Sequence, residues 1–181
     1  MVEVPLGQWT GAVSTDFHDA ANWSGSILPT STDDIIIPNV TNQPVVTTSV
    51  SVNAIDVYSG ADITISSGTL SIADSTDMDG TLIIESGAIY DANGDFDATG
   101  GDVTFTGAGT LQVSHATITS FGSLTSTAGT ISFDGAGAQN IPTGTYYSLD
   151  INQSGTKSIT GDITVNGDIT LTDGELDLNE F

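Results

Sequence analysis

Residues 101–113 read GDVTFTGAGTLQV, two five-residue phrases built alike, GDVTF (101–105) and GTLQV (109–113). Each opens with a glycine and a small polar residue, then places apolar residues at alternate positions. The phrase recurs as GTLSI (68–72), GTLII (80–84), GTISF (129–133) and GDITV (161–165). Alternation at period two sends one set of side chains inward and its neighbours outward, which is the pattern of a half-buried strand. Leu70 with Ile72, Val103 with Phe105, Leu111 with Val113 and Ile131 with Phe133 form the inward set, and Thr, Ser, Asp and Gln fill the other places.

The glycines that lead these phrases form two interleaved series. One runs Gly60, Gly80, Gly101, Gly122, Gly144, Gly167, and the other Gly68, Gly87, Gly109, Gly129, Gly155, Gly174, in steps of 19 to 26 residues. A period of about 21 residues kept through successive units predicts an all-β solenoid, with two strands in each winding. A meander sandwich would place its hairpin turns at irregular intervals instead. In a solenoid, like residues stack about 4.8 Å apart, which accounts for the resemblance among the phrases.

The first 33 residues break the pattern and hold both tryptophans, Trp9 and Trp23. A bare end winding exposes unpaired backbone groups, so 1–33 is read as an N-terminal capping segment and 34–181 as the solenoid. The opening MVEVPLGQW has neither the basic nor the apolar region of a signal peptide, and the closing ELDLNEF stops in mid-pattern. The chain is therefore expected to be a segment of a longer secreted protein.

Composition narrows the function classes. Lys157 is the sole basic residue apart from two histidines, against 23 acids, for a net charge of −22. Such a surface repels phosphate backbones and anionic membranes, so nucleic-acid binding is excluded, while divalent cations are attracted. No apolar run approaches the roughly 20 residues of a membrane span, so no membrane insertion is expected. With no cysteine, the chain needs no particular redox compartment. Hydrophobic residues at 38% exclude a disordered acidic tail.

The pattern Trp9-x-Gly11, Phe17, Asn22-Trp23, Pro29, Asp33-Asp34 and Ile35-x-Ile37-Pro38 resembles the first segment of parallel β-helix domains of the filamentous-haemagglutinin adhesin type. Those domains belong to very large secreted surface proteins of bacteria. Residues 133–179, with Phe133, Gln139, Ile141 and Tyr147, resemble their later windings. The resemblance implies a right-handed parallel β-helix, secreted and associated with the cell surface, acting as a stalk-like or adhesive element. It carries over no catalytic residue.

Three groups of residues are candidates for chemistry. Asp74, Asp77 and Asp79, and then Asp91, Asn93, Asp95, Asp97 and Asp102, supply alternating oxygens in glycine-containing loops, as a hard cation such as calcium needs. The second run has EF-hand-like spacing, although its glycine stands at the fourth place and Phe96 at the sixth. Without a cation, the same aspartates serve as turn formers. Trp9, Trp23, Tyr146 and Tyr147 are candidates for stacking on sugar rings, or alternatively for covering the core. Acidic pairs are too numerous to single out a glycosidase, and a lyase for acidic sugars generally needs bases that the chain lacks, so no enzyme activity is expected. The sequence thus predicts a structural or adhesive solenoid segment, with calcium as the candidate stabilising ion, whose partners are surface glycans or neighbouring copies of itself end to end. The alternative is a carbohydrate-binding module that uses the tryptophan-bearing cap, or else a polysaccharide-active β-helix enzyme.

Overall fold

A computed structural model describes residues 7–116, 118–125 and 127–178. Each winding contains three short strands. The first winding holds β1 (Asp34–Ile37), β2 (Val45–Val46) and β3 (Val50–Val52), and the second β4 (Ala54–Val57), β5 (Asp62–Ile65) and β6 (Thr69–Ile72). The third holds β7 (Thr76–Met78), β8 (Thr81–Ile84) and β9 (Ile89–Ala92), and the fourth β10 (Phe96–Asp97), β11 (Asp102–Phe105) and β12 (Thr110–Val113). Next come β13 (Ile118–Ser120), β14 (Ser123–Leu124) and β15 (Thr130–Phe133), then β16 (Gln139–Ile141), β17 (Gly144–Tyr146) and β18 (Ser148–Ile151). The seventh winding holds β19 (Thr156–Ile159), β20 (Ile163–Val165) and β21 (Ile169–Leu171), and β22 (Glu175–Asp177) begins another.

All named strand pairs are parallel and join one winding to the next. The expected solenoid is therefore the fold, with one correction: there are three strands per winding, not two. The missed strands form the first face, β1-β4-β7-β10-β13. They escaped because no glycine introduces them in the early windings and β10 is only two residues long. Later the glycine series change face: Gly155 and Gly174 precede β19 and β22 on the first face, and Gly167 precedes β21 on the third. Stacked partners are 18 residues apart at Gln139 and Lys157 and 22 apart at Phe96 and Ile118. The period is thus elastic around 20.

Inward residues form columns that run the length of the rod. On the third face one column is Val50, Leu70, Tyr90, Leu111, Ile131, Leu149 and Ile169, and its neighbour is Val52, Ile72, Ala92, Val113, Phe133, Ile151 and Leu171. Aromatic rings fill the wider middle, where Phe121 lies 5.7 Å from Phe96, 6.3 Å from Phe133 and 6.1 Å from Tyr146. Buried Tyr90 pairs its hydroxyl with that of buried Thr76 at 2.9 Å, which satisfies both polar groups in the core.

Close nesting of windings leaves no room for a Cβ at several glycines, and Gly94 is the tightest. A Cβ on Gly94 would lie 1.4 Å from the Asp74 carbonyl oxygen, so only glycine fits there.

The N-terminal segment covers the first winding. Gln8 bridges to Ile36 and Asp16 to Val45, both in parallel, which extends two faces by a partial layer. Trp9, Phe17 and Trp23 pack edge to face or stacked, with Trp23 4.9 Å from Phe17 and 5.1 Å from Trp9. Both indole N–H groups are satisfied: Trp9 donates to the Asn42 carbonyl and Trp23 to the Phe17 carbonyl. Buried Asn22 accepts from the backbone N–H groups of Val13 and Ser14 and donates to Ser14 Oγ and the Asp16 carbonyl.

Candidate functional site

The acidic candidates are dealt out around the rod. Asp91 lies on β9 of the third face, Asp95 at the following corner, Asp97 on β10 of the first face and Asp102 on β11 of the second. The run 91–102 therefore does not close on itself as an EF-hand loop does, because a winding turns past two corners within it. Its glycine, Gly94, is fixed by its approach to Asp74 rather than by a ligand loop. Several of these groups have protein partners: Asp91 accepts from Ser71 Oγ at 2.7 Å, Asn93 donates to the same oxygen at 3.2 Å, and Asp97 accepts from the Thr99 N–H. Asp95 Oδ1 lies 2.8 Å from His115 Nδ1. Asp74 and Asp79 stand exposed at corners.

The stack does bring a different set together. Asp56, Asp77 and Asp97 sit directly above one another on the outer side of the first face. Partial burial pushes the carboxyls of Asp56 and Asp77 up, and like charge adds to this, from Asp77 and Asp79 onto Asp56 and from Asp79 and Asp97 onto Asp77. Asp56 was not a candidate from sequence, although an aspartate recurring at 56, 77 and 97 carried the signal. Among the described residues, no group of three or more His, Cys, Asp or Glu side chains is arranged to hold a metal ion.

The aromatic candidates also separate. Trp9 and Trp23 are 0% and 2% exposed, and Tyr146 is 1% exposed with its hydroxyl donating to the Pro142 carbonyl. The tryptophans form the core of the cap and are buried there. Tyr147 alone of the four is exposed.

Lys157 is fully buried, with its ammonium donating to the carbonyls of Gly135 (2.6 Å), Gly137 (2.7 Å) and Ser154 (3.1 Å). Burial lowers its pKa, and the charge of Asp134 opposes that. It stacks on Gln139, whose amide donates to the Val113 and His115 carbonyls and accepts from the Gly135 N–H. These two polar residues replace apolar ones in the first-face column and tie the corners of windings four to seven together.

Beside Gln139 the stack opens. Among the described residues, the first-face sheet ends at β13 and restarts at β16, the second-face sheet ends at β14 and restarts at β17, and only the third face runs on through β15 and β18. A groove of about 390 Å³ occupies this seam. Thr119, Ser120 and Phe121 line its upper side, and Thr143, Thr145 and Tyr146 its lower side. Nothing in the sequence marked it, since the phrases on either side keep their alternation.

Among the described residues, no helix is long and apolar enough to cross a membrane. No curated protein matches the chain in sequence, and no solved structure matches its fold. A family model described as a domain of unknown function, DUF8693, matches residues 8–105, from the cap through β11. Since that match takes in more than half of the 181 residues, with the tryptophan cap and the tightly nested windings inside it, the chain belongs to the DUF8693 family.

Proposed function

We propose that the chain is a structural and adhesive segment of a secreted cell-surface fibre, in which the winding stack serves as a stiff spacer that holds binding elements away from the cell. The observation that supports this most is the unbroken run of core columns from winding one to winding seven on the third face. A solenoid of this kind transmits force through successive backbone ladders, each nearest-neighbour interface repeating the last. A charge of −22 keeps such a rod soluble and apart from anionic envelopes. In this reading the chain has no catalytic role, and calcium lies along the first-face carboxylates as a diffuse counter-ion.

The reading is tested on intact cells of the encoding organism. Antibody against the folded domain should label unpermeabilised cells, and external protease should remove the label. Labelling that requires permeabilisation overturns it. The calcium component is separate: about 5 mM calcium should raise the melting temperature more than an equal ionic strength of sodium chloride, and Asp77→Asn should shrink the difference. Equal effects of the two salts would remove calcium from the proposal.

A further inference from the structure

We propose that the seam between windings five and six is a binding groove for a neutral, polyhydroxylated ligand, a short stretch of uncharged glycan. This deepens the adhesive reading above by naming what is bound, and rests on that reading only for where the ligand is met.

The groove has the size of a small-ligand site, which spans about 300–1,000 Å³. Its lining is the more telling feature. In a chain with 23 acids, every residue that lines this groove is uncharged. Hydroxyls of Thr119, Ser120, Thr143 and Thr145 surround it, with Thr119, Thr143 and Thr145 exposed at the rim. Each hydroxyl both donates and accepts, which matches a ligand whose own hydroxyls do the same. Phe121 and Tyr146 pack edge to face at 6.1 Å and close the floor of the groove, which leaves the rim hydroxyls to meet the ligand. Among the described residues, β13 with β16 and β14 with β17 form no ladder, and the Asn140 backbone amide crosses to the Ala116 carbonyl at 3.2 Å.

An anionic ligand would meet the field of the whole molecule, whereas a neutral one does not. An extended peptide is the other natural occupant of two strand edges, but the spacing disfavours it. Inserting a strand requires its neighbours to stand two strand spacings apart, about 9.6 Å. The facing strands still have Cα atoms within 8 Å of one another on both faces. The gap is too narrow for a strand.

The test titrates the isotopically labelled 181-residue chain with neutral tetrasaccharides (cello-, manno-, xylo- and chito-series), with polygalacturonate and with a pool of extended hexapeptides, read by amide chemical shifts. At least one neutral sugar should shift amides of 119–124 and 143–146 with a Kd of about 1 mM. Thr119→Asp and Thr145→Asp should each weaken that binding at least about tenfold, while Thr47→Asp in the first winding leaves it unchanged. Should either aspartate disturb the fold, Thr143→Ala, which only removes a hydroxyl and its methyl, should still weaken binding about threefold. The proposal is overturned if no neutral sugar shifts the groove amides at about 10 mM, if the shifts map elsewhere, if the variants bind as well as the parent, or if the peptides alone bind. Because binding is read in solution, its failure leaves the surface-fibre reading standing, and a wrong location leaves the groove standing.

Discussion

Windings one to five and windings six and seven are made of the same phrases but are held differently. In the first block all three faces carry continuous ladders, and a tryptophan cap closes the end. In the second block only the third face carries a ladder upward among the described residues, one backbone bond from Asn140 to Ala116 crosses on the first face, and two polar side chains, Gln139 and Lys157, stitch the corners. At the far end Ile169 and Leu171 are 49% and 54% exposed on the last described winding. The contrast teaches that one face of backbone pairing suffices to carry a solenoid past a discontinuity, provided that buried polar groups satisfy the carbonyls freed there.

Mutations divide along the same line. Trp23→Ala should be the most damaging, at about 4 kcal/mol, because it leaves a large cavity under the cap and orphans the Phe17 carbonyl. Chemical denaturation read by near-ultraviolet circular dichroism would report it; a loss below about 1 kcal/mol would deny the cap its role. Gly94→Ala should cost about 3 kcal/mol from the backbone clash with Asp74, while Gly137→Ala, where a Cβ meets nothing within 4 Å, should change stability by less than about 0.5 kcal/mol. Similar effects at the two glycines would mean that contact with the preceding winding does not set the cost.

Lys157→Met should cost about 2 kcal/mol, since three carbonyls lose their donor. Hydrogen exchange should place that loss in 135–159 and leave windings one to four protected. Uniform deprotection would mean that the two blocks unfold as one.

The smallest expected effect is that of pH. Asp56, Asp77 and Asp134 are pushed above the ordinary value of 3.8, in each case chiefly by burial. The folded chain therefore takes up protons before the unfolded chain does, and stability rises as pH falls from neutral through those values towards 3.8. Asp33 works in the opposite sense: hydrogen bonds from Thr30 hold it low, so its contribution is present above 3.8 and lost as pH falls through its folded value. Calorimetry between pH 7 and 3 should show a melting-temperature maximum on the acid side of neutrality. A monotonic fall from pH 7 would contradict it.

The solenoid was legible because its columns repeat the same residue types at a nearly constant step, as Leu70, Leu111 and Ile131 do. The third strand of each winding was not, because Phe96–Asp97 is too short to show alternation and Thr76 fills an inward position with a polar group. The tryptophans were correctly placed in a cap, but single-letter sequence does not tell a buried indole from a displayed one. The placing of the aspartates was not legible for a topological reason: residues close in sequence pass around corners, while those about 20 apart, such as Asp56 and Asp77, come to lie side by side. The groove depends on two ladders failing to form, and an unmade hydrogen bond leaves no mark in the residues beside it.

Nearly every ladder here joins residues about one winding apart, wherever they stand along the chain. Loop closure therefore demands the same modest entropy at each step, and a longer molecule would fold by repeating that step rather than by finding more distant contacts. Gain or loss of a whole turn preserves every neighbour relation downstream. An insertion of a third of a turn would instead rotate all later segments onto the wrong side, exchanging interior for solvent, so length in this architecture comes in quanta of about twenty residues.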